Sequence, residues 1–160
     1  MKTLMLMRHA KSDWSDGSLR DFDRPLNDRG ESEAPSVGEK LVTLKIKPEL
    51  FISSPAMRAK MTAIAVAEKV NYNMEKIVWN ESFYFGYTSE IIESLKQLDE
   101  KISSVIIFGH NPTWSAIAEL LTGKFYSLKT AELIILEFND SWKNLKAKIC
   151  KEKYYLSPKK

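Results

Sequence analysis

The chain contains two histidines, His9 and His110, and each closes a run of apolar residues. His9 follows Leu4-Met5-Leu6-Met7-Arg8, and His110 follows Val105-Ile106-Ile107-Phe108-Gly109. A third polar group, Ser53-Ser54-Pro55-Ala56-Met57-Arg58, comes directly after Leu50-Phe51-Ile52. Together these residues could transfer a phosphoryl group. A guanidinium is always charged and carries a planar fork of donors matched to phosphate oxygens, so Arg8 and Arg58 could grip one phosphoryl group from two sides. A neutral imidazole, with an unperturbed pKa of ~6.5, attacks phosphorus well near pH 7. A second imidazole, protonated, could donate to an equatorial oxygen as the group transfers. No aspartate-rich cluster accompanies them, so the chemistry is expected to need no metal or other cofactor. Zinc held by His9 and His110 fits poorly, because the arginines would repel a cation and no thiol or carboxylate ligand stands by. Each residue also has a structural reading: His9 as a satisfied strand end, His110 as a turn cap beside Asn111-Pro112, Arg58 as an exposed salt-bridge partner.

The elements that must bring these groups together are legible as short apolar runs. Leu4–Met7 reads as a strand buried on both faces, Leu50–Ile52 as a second buried strand, Ile77–Trp79 as a third, short one and Val105–Phe108 as another uninterrupted apolar strand. Leu133–Phe138 and Ala147–Cys150 read as two closing strands, with Asn139-Asp140 in the turn between them. Helices are expected from Asn27, as a cap, through Glu31 to about Leu44, with Pro35 either starting the regular part or kinking it. A second helix should follow Pro55, with Met57, Met61, Ile64, Ala65 and Val66 facing inward. Ser89 would cap a third, burying Ile91, Ile92, Leu95 and Leu98, and a fourth would run from Thr113 to Leu121 and end near Gly123. The polar stretch from Lys11 to Arg24 reads as a surface loop, and Lys159 and Lys160 as a solvated tail. Strands alternating with helices predict an α/β fold of three layers, with a mostly parallel central sheet and helices on both faces. In such a sheet ligands bind beyond the carboxyl ends of the strands, where all three polar groups lie, next to helix N-termini that favour an anion.

The 160 residues fit one domain, 1–160, able to bury a core without staples. Hydrophobic residues at 44% and charged residues at 28% are the balance of a globular protein, and a formal charge of +3 is too slight for a nucleic-acid partner. With one cysteine, Cys150, no intrachain disulfide can form, and its expected place is packed in a late strand. No run approaches the ~20 apolar residues of a membrane span, and the N-terminus lacks a signal-peptide pattern. The expected location is the cytoplasm, with no membrane partner.

Four motifs then carry a resemblance. Leu6-Met7-Arg8-His9-Ala10-Lys11-Ser12, Asp21-Phe22-Asp23-Arg24-Pro25-Leu26-Asn27-Asp28-Arg29-Gly30, Ser53-Ser54-Pro55-Ala56-Met57-Arg58-Ala59 and Gly109-His110-Asn111-Pro112 resemble, in order and spacing, the histidine phosphatase superfamily that also holds phosphoglycerate mutases. Within it the chain is most similar to small bacterial phosphohistidine phosphatases of the SixA type. The resemblance runs from Leu4 to about Phe138 and implies His9 as nucleophile, with Arg8, Arg58 and His110 completing the phosphate pocket. It departs at Ala10, where glycine is commoner in the superfamily; a methyl there narrows the space beside His9. In the mutase branch a glutamate after asparagine protonates the leaving oxygen, and Asn80-Glu81 with Tyr84 looks similar. Glu81 is therefore a candidate proton donor, with a plain surface carboxylate as the alternative.

About thirty residues separate Glu81 from His110, enough for one helix and one strand but not for a lid insertion. An open pocket must draw its binding energy from the phosphoryl group or from a large partner around it. The expected substrate is a phosphohistidine on a protein, with Trp14, Phe83, Tyr84 and Tyr87 as candidates for a docking rim or for ordinary packing. Two alternatives stand: a phosphatase of a small phosphoester, and a non-catalytic phospho-binding module. Nothing in the residues sets the oligomeric state.

Overall fold

The structure is a computed structural model that describes residues 1–158. The tail expected at Lys159 and Lys160 lies outside the described residues. Six strands make one sheet: β1 (Lys2–Arg8), β2 (Leu50–Ser53), β3 (Val78–Trp79), β4 (Ser104–Gly109), β5 (Leu133–Phe138) and β6 (Lys151–Leu156). Their spatial order is β3-β2-β4-β1-β5-β6. The pairs from β3 through β1 are parallel, and β5 and β6 join antiparallel at the far side. Five helices connect them: α1 (Asp28–Thr43), α2 (Met57–Lys69), α3 (Ser82–Phe85), α4 (Thr88–Lys96) and α5 (Thr113–Thr122).

The three-layer arrangement follows from the alternation of side chains along the strands. Leu4 and Leu6 of β1 and Val105 and Ile107 of β4 share one core with Ile91, Ile92 and Leu95 of α4 and Trp114, Ile117 and Leu121 of α5. Met5 and Met7, Ile106 and Phe108 face the other way, onto Ala34, Val37 and Leu41 of α1 and Ala63, Val66 and Ala67 of α2. The expected α/β sheet with helices on both faces is borne out. None of the helices of the described residues is long and apolar enough to cross a membrane.

Several local expectations need correcting. The inward face of α2 is made of Arg58, Ala59, Thr62, Ala63, Val66 and Ala67, while Met57 is exposed and Met61, Ile64 and Ala65 are only half-buried. The reason is close packing against α1, where a side-chain carbon on Gly38 would meet Lys69 Cβ at 2.8 Å and Val66 Cα at 3.3 Å. Gly38 leaves the space that Val66 and Lys69 of α2 occupy, which turns α2 so that Ala59, Ala63 and Ala67 are buried. The last strand is Lys151–Leu156 rather than Ala147–Cys150, and a 3-10 turn at Trp142–Asn144 occupies part of the connection that looked like a tight hairpin. Cys150 is buried just before that strand, and burial pushes its thiol up to about 12. Ser89 caps nothing: the cap position is Tyr87, whose N–H donates to the Glu90 carboxylate at 3.1 Å. Helix α1 runs unbroken through Pro35, with the Asn27 side chain accepting from Gly30 N–H at 2.8 Å as expected of a cap. Gly123 ends α5 with φ of 77°, where glycine carries no side-chain penalty.

Candidate active site

Register explains why residues a hundred positions apart meet. Arg8 of β1 lies opposite Gly109 of β4, and Ser53 of β2 opposite Phe108. His9, Ser54 and His110 are therefore the next residues out of three adjacent parallel strands. Backbone bonds extend the ladder one step further: His9 N–H donates to Gly109 O at 3.0 Å and Ser54 N–H to Phe108 O at 2.9 Å. The two imidazole rings come to rest 5.2 Å apart, centroid to centroid.

His9 is 8% exposed, and its Nδ1 lies 2.7 Å from Ala10 O. A carbonyl oxygen can only accept, so Nδ1 carries the proton and Nε2 keeps its lone pair. The loop that supplies this carbonyl is itself fastened to α2, because Ala10 N–H donates to Thr62 Oγ1 at 3.0 Å and Thr62 donates in turn to Arg58 O at 2.7 Å. The Ala10 methyl is fully buried in the core beneath. His110 Nε2 lies 2.8 Å from Ser54 Oγ, its buried Nδ1 has no hydrogen-bond partner, and Tyr84 packs edge-on against the ring at 5.5 Å.

Burial is the largest cause that holds both rings neutral at pH 7. It lowers His9 to about 4, helped by the charges of Arg58, Arg8 and Arg24 and opposed by the Ala10 hydrogen bond. It lowers His110 to about 3, with His9, Arg58 and Arg8 adding and Asp21 opposing. A neutral His9 is what a nucleophile requires. A neutral His110 differs from the protonated donor expected from sequence.

Arg58 is 7% exposed, not a surface ion-pair partner. Its Nη1 donates to Asp21 O at 2.8 Å and its Nη2 to Asp21 Oδ2 at 3.0 Å. Arg8 donates from Nη1 to Leu128 O at 3.0 Å, while its buried Nε has no partner. Sequence reasoning gave no role to Asp21, Arg24 or Ser54, although all three lie inside the quoted motifs. The available signal was charge spacing: Arg20 with Asp23 and Asp21 with Arg24 are i,i+3 pairs in a loop that otherwise reads as mere surface.

Glu81 is exposed, on the wall of a cavity of about 540 Å³ shared with Arg20, Asp21, Phe22, Pro55, Tyr84 and Phe85. Of the expected rim aromatics, Trp14 and Tyr87 are exposed, Tyr84 lines this cavity, and Phe83 is core, edge-on to Trp114 at 5.3 Å. Only two of the three polar groups run directly into helices, α2 and α5; after His9 comes the loop that carries Asp21.

Residues 4–81 match the model of the histidine phosphatase superfamily (branch 1). An uncharacterised chloroplast protein of Arabidopsis thaliana is 37% identical, with 88% of this chain and 69% of that protein covered. The chain belongs to the histidine phosphatase superfamily. A structure from Agrobacterium tumefaciens whose protein bears the provisional name phosphohistidine phosphatase SixA is similar over 98% of both chains, at 26% identity and a TM-score of 0.82. The protein histidine phosphatase SixA solved with tungstate shares the fold at 21% identity and a TM-score of 0.85, covering 98% of this chain and 97% of its own. This histidine phosphatase is thus SixA-like in architecture, and its class of chemistry is phosphatase chemistry. In that family frame the converging His9, Arg8, Arg58 and His110 form its candidate catalytic centre.

Proposed function

We propose that this histidine phosphatase removes the phosphoryl group from phosphohistidine on a protein, through a phosphorylated His9 and without a metal. The observation that carries the chemistry is the His9 tautomer: Nδ1–H is committed to Ala10 O, so Nε2 is the free nucleophile. In the first step Nε2 bonds to phosphorus and the P–N bond of the substrate breaks in line. The departing imidazole takes its proton from water, which its neutral-range pKa allows before or as the bond breaks. Arg8 and Arg58 hold the equatorial oxygens, and His110, once protonated by the arrival of the anion, donates to them. In the second step water attacks phospho-His9, releasing inorganic phosphate and restoring neutral His9.

The protein substrate is supported by the short span between Glu81 and His110, which holds only α3, α4 and β4. Such a site leaves little surface to grip a small molecule away from its phosphate. Similarity to the Agrobacterium protein described as a phosphohistidine phosphatase supports the same reading. A second reading, hydrolysis of a small phosphoester, is favoured by one observation: Glu81 lines a cavity that continues to Tyr84, which touches His110. One purified sample assayed against a phosphohistidine protein, sugar phosphates and nucleotides separates the two. Turnover of esters with none of phosphohistidine overturns the proposal.

A further inference from the structure

Asp21 is the most heavily used carboxylate near the site, and it touches neither imidazole by hydrogen bond. Its Oδ2 accepts from Arg58 Nη2 at 3.0 Å and from the Tyr84 hydroxyl at 2.8 Å; its Oδ1 accepts from Arg24 Nη2 at 2.8 Å. Its main-chain oxygen accepts from Arg58 Nη1 at 2.8 Å. Both terminal nitrogens of Arg58 are thus fastened to one residue. Arg24 is held in turn by Ser12 Oγ at 2.7 Å and by the Trp14 ring, whose centroid lies 3.5 Å from the guanidinium carbon.

We propose that Asp21 is a positioning residue that presents Arg58 to the phosphoryl group, with Arg24 and Tyr84 fixing Asp21. The inference rests on the reading of Arg58 as an oxyanion ligand. A guanidinium has five N–H groups, so two bonds to Asp21 leave three for a ligand. A long arginine side chain loses rotamer freedom when it binds; here that loss is met before the ligand arrives. A carboxylate beside an incoming anion also repels it. Two guanidinium groups and a phenol share the Asp21 charge, which weakens that repulsion, and both arginine side chains are held 8% exposed.

A double-mutant cycle on tungstate binding tests this, because binding requires no turnover. Asp21→Ala should raise the tungstate Kd about tenfold in the native background, the worth of a lost charged hydrogen bond. In the Arg58→Ala background the same change should matter less than about twofold, since Asp21 acts through Arg58. Asp21→Asn, which keeps the main-chain bond and one side-chain acceptor, should recover part of the loss. Equal losses in both backgrounds would mean that Asp21 only shapes its loop, and tighter binding by Asp21→Ala would make it a competitor; either overturns the proposal. A protein that shows the coupling but leaves phosphohistidine untouched would sink the substrate reading alone.

Discussion

The Nδ1 atom of His9 and the carbonyl oxygen of Ala10, 2.7 Å apart, decide which ring nitrogen can react. With Nδ1–H donated, a phosphoryl group can be received only on Nε2. Rapid alkaline quenching during turnover should trap one phosphorylated isomer, on Nε2 of His9, identified by phosphorus NMR. His9→Ala should lose activity by at least about a thousandfold, because it removes the attacking nitrogen, while its circular dichroism stays native. Activity retained in that variant would remove His9 from the mechanism.

Protonation gives a second prediction. Both histidines have folded-state pKa values below their unfolded value of ~6.5. The unfolded chain therefore binds protons first as pH falls, and stability drops with it. Their contribution is complete above about pH 6.5, declines through pH 5, and levels off near 4 for His9 and 3 for His110. At pH 5 each should cost on the order of 2 kcal/mol of stability relative to pH 7. Urea unfolding at the two pH values checks this, and His110→Ala should remove its share of the difference.

A bound dianion reverses that balance for His110. At about 5 Å and an effective dielectric near 20, two negative charges favour the imidazolium by roughly 7 kcal/mol. Lowering its pKa to about 3 represents roughly 5 kcal/mol against the charged form, which an anion at that distance can offset. The same field acts on His9, so proton uptake on tungstate binding at pH 7 is assigned to His110 by its loss in His110→Ala. Calorimetry in buffers of different ionisation enthalpy measures that uptake, and zero uptake would leave His110 a neutral donor.

Much of this site was legible because its residues sit at strand ends, where a buried apolar run stops at a charged or imidazole side chain. Register did the rest: once β1, β2 and β4 are adjacent and parallel, Arg8 must lie beside Gly109 and Ser53 beside Phe108, so the residues that follow them emerge together. What stayed hidden had physical causes. The α2 face was misread because hydrophobicity points to Met57, Met61 and Ile64, whereas the buried positions are Arg58, Ala59, Thr62, Ala63, Val66 and Ala67, with Val66 and Lys69 set against Gly38 of α1. The β6 strand was missed because an exposed edge tolerates Lys151, Glu152 and Lys153, which mask its alternation while guarding the edge. The Asp21 knot was missed because a tertiary pairing with Arg58, thirty-seven residues away, leaves no local period.

As the candidate proton donor, Glu81 is the residue whose removal should separate ester from phosphoramidate chemistry. An alkoxide leaves poorly without a proton, and general acid catalysis is worth ~100- to 10,000-fold, whereas imidazole leaves easily once protonated. Glu81→Gln should therefore slow an alkyl phosphate about a hundredfold and change phosphohistidine turnover less than about threefold. A shared loss on both substrates would make Glu81 a wall of the cavity it lines with Tyr84 and Phe85, not an acid.

The last prediction tests how tightly the site is tied to the sheet beneath it. A Cβ on Gly109 would lie 2.3–2.4 Å from three atoms of the Trp114 ring. That indole is fully buried and cannot swing away: its Nε1–H donates to Ile107 O at 3.2 Å, and Phe83 closes the other side. Gly109→Ala should then force the strand end outward, costing ~1–3 kcal/mol and lowering Tm by roughly 5 °C. The same displacement reaches both imidazoles, since His9 N–H donates to Gly109 O at 3.0 Å and Trp114 N–H to His110 O at 2.9 Å. Tungstate affinity should fall together with Tm. A variant that melts early yet binds tungstate normally would show that the Ala10, Ser54 and Thr62 contacts alone hold the rings in place.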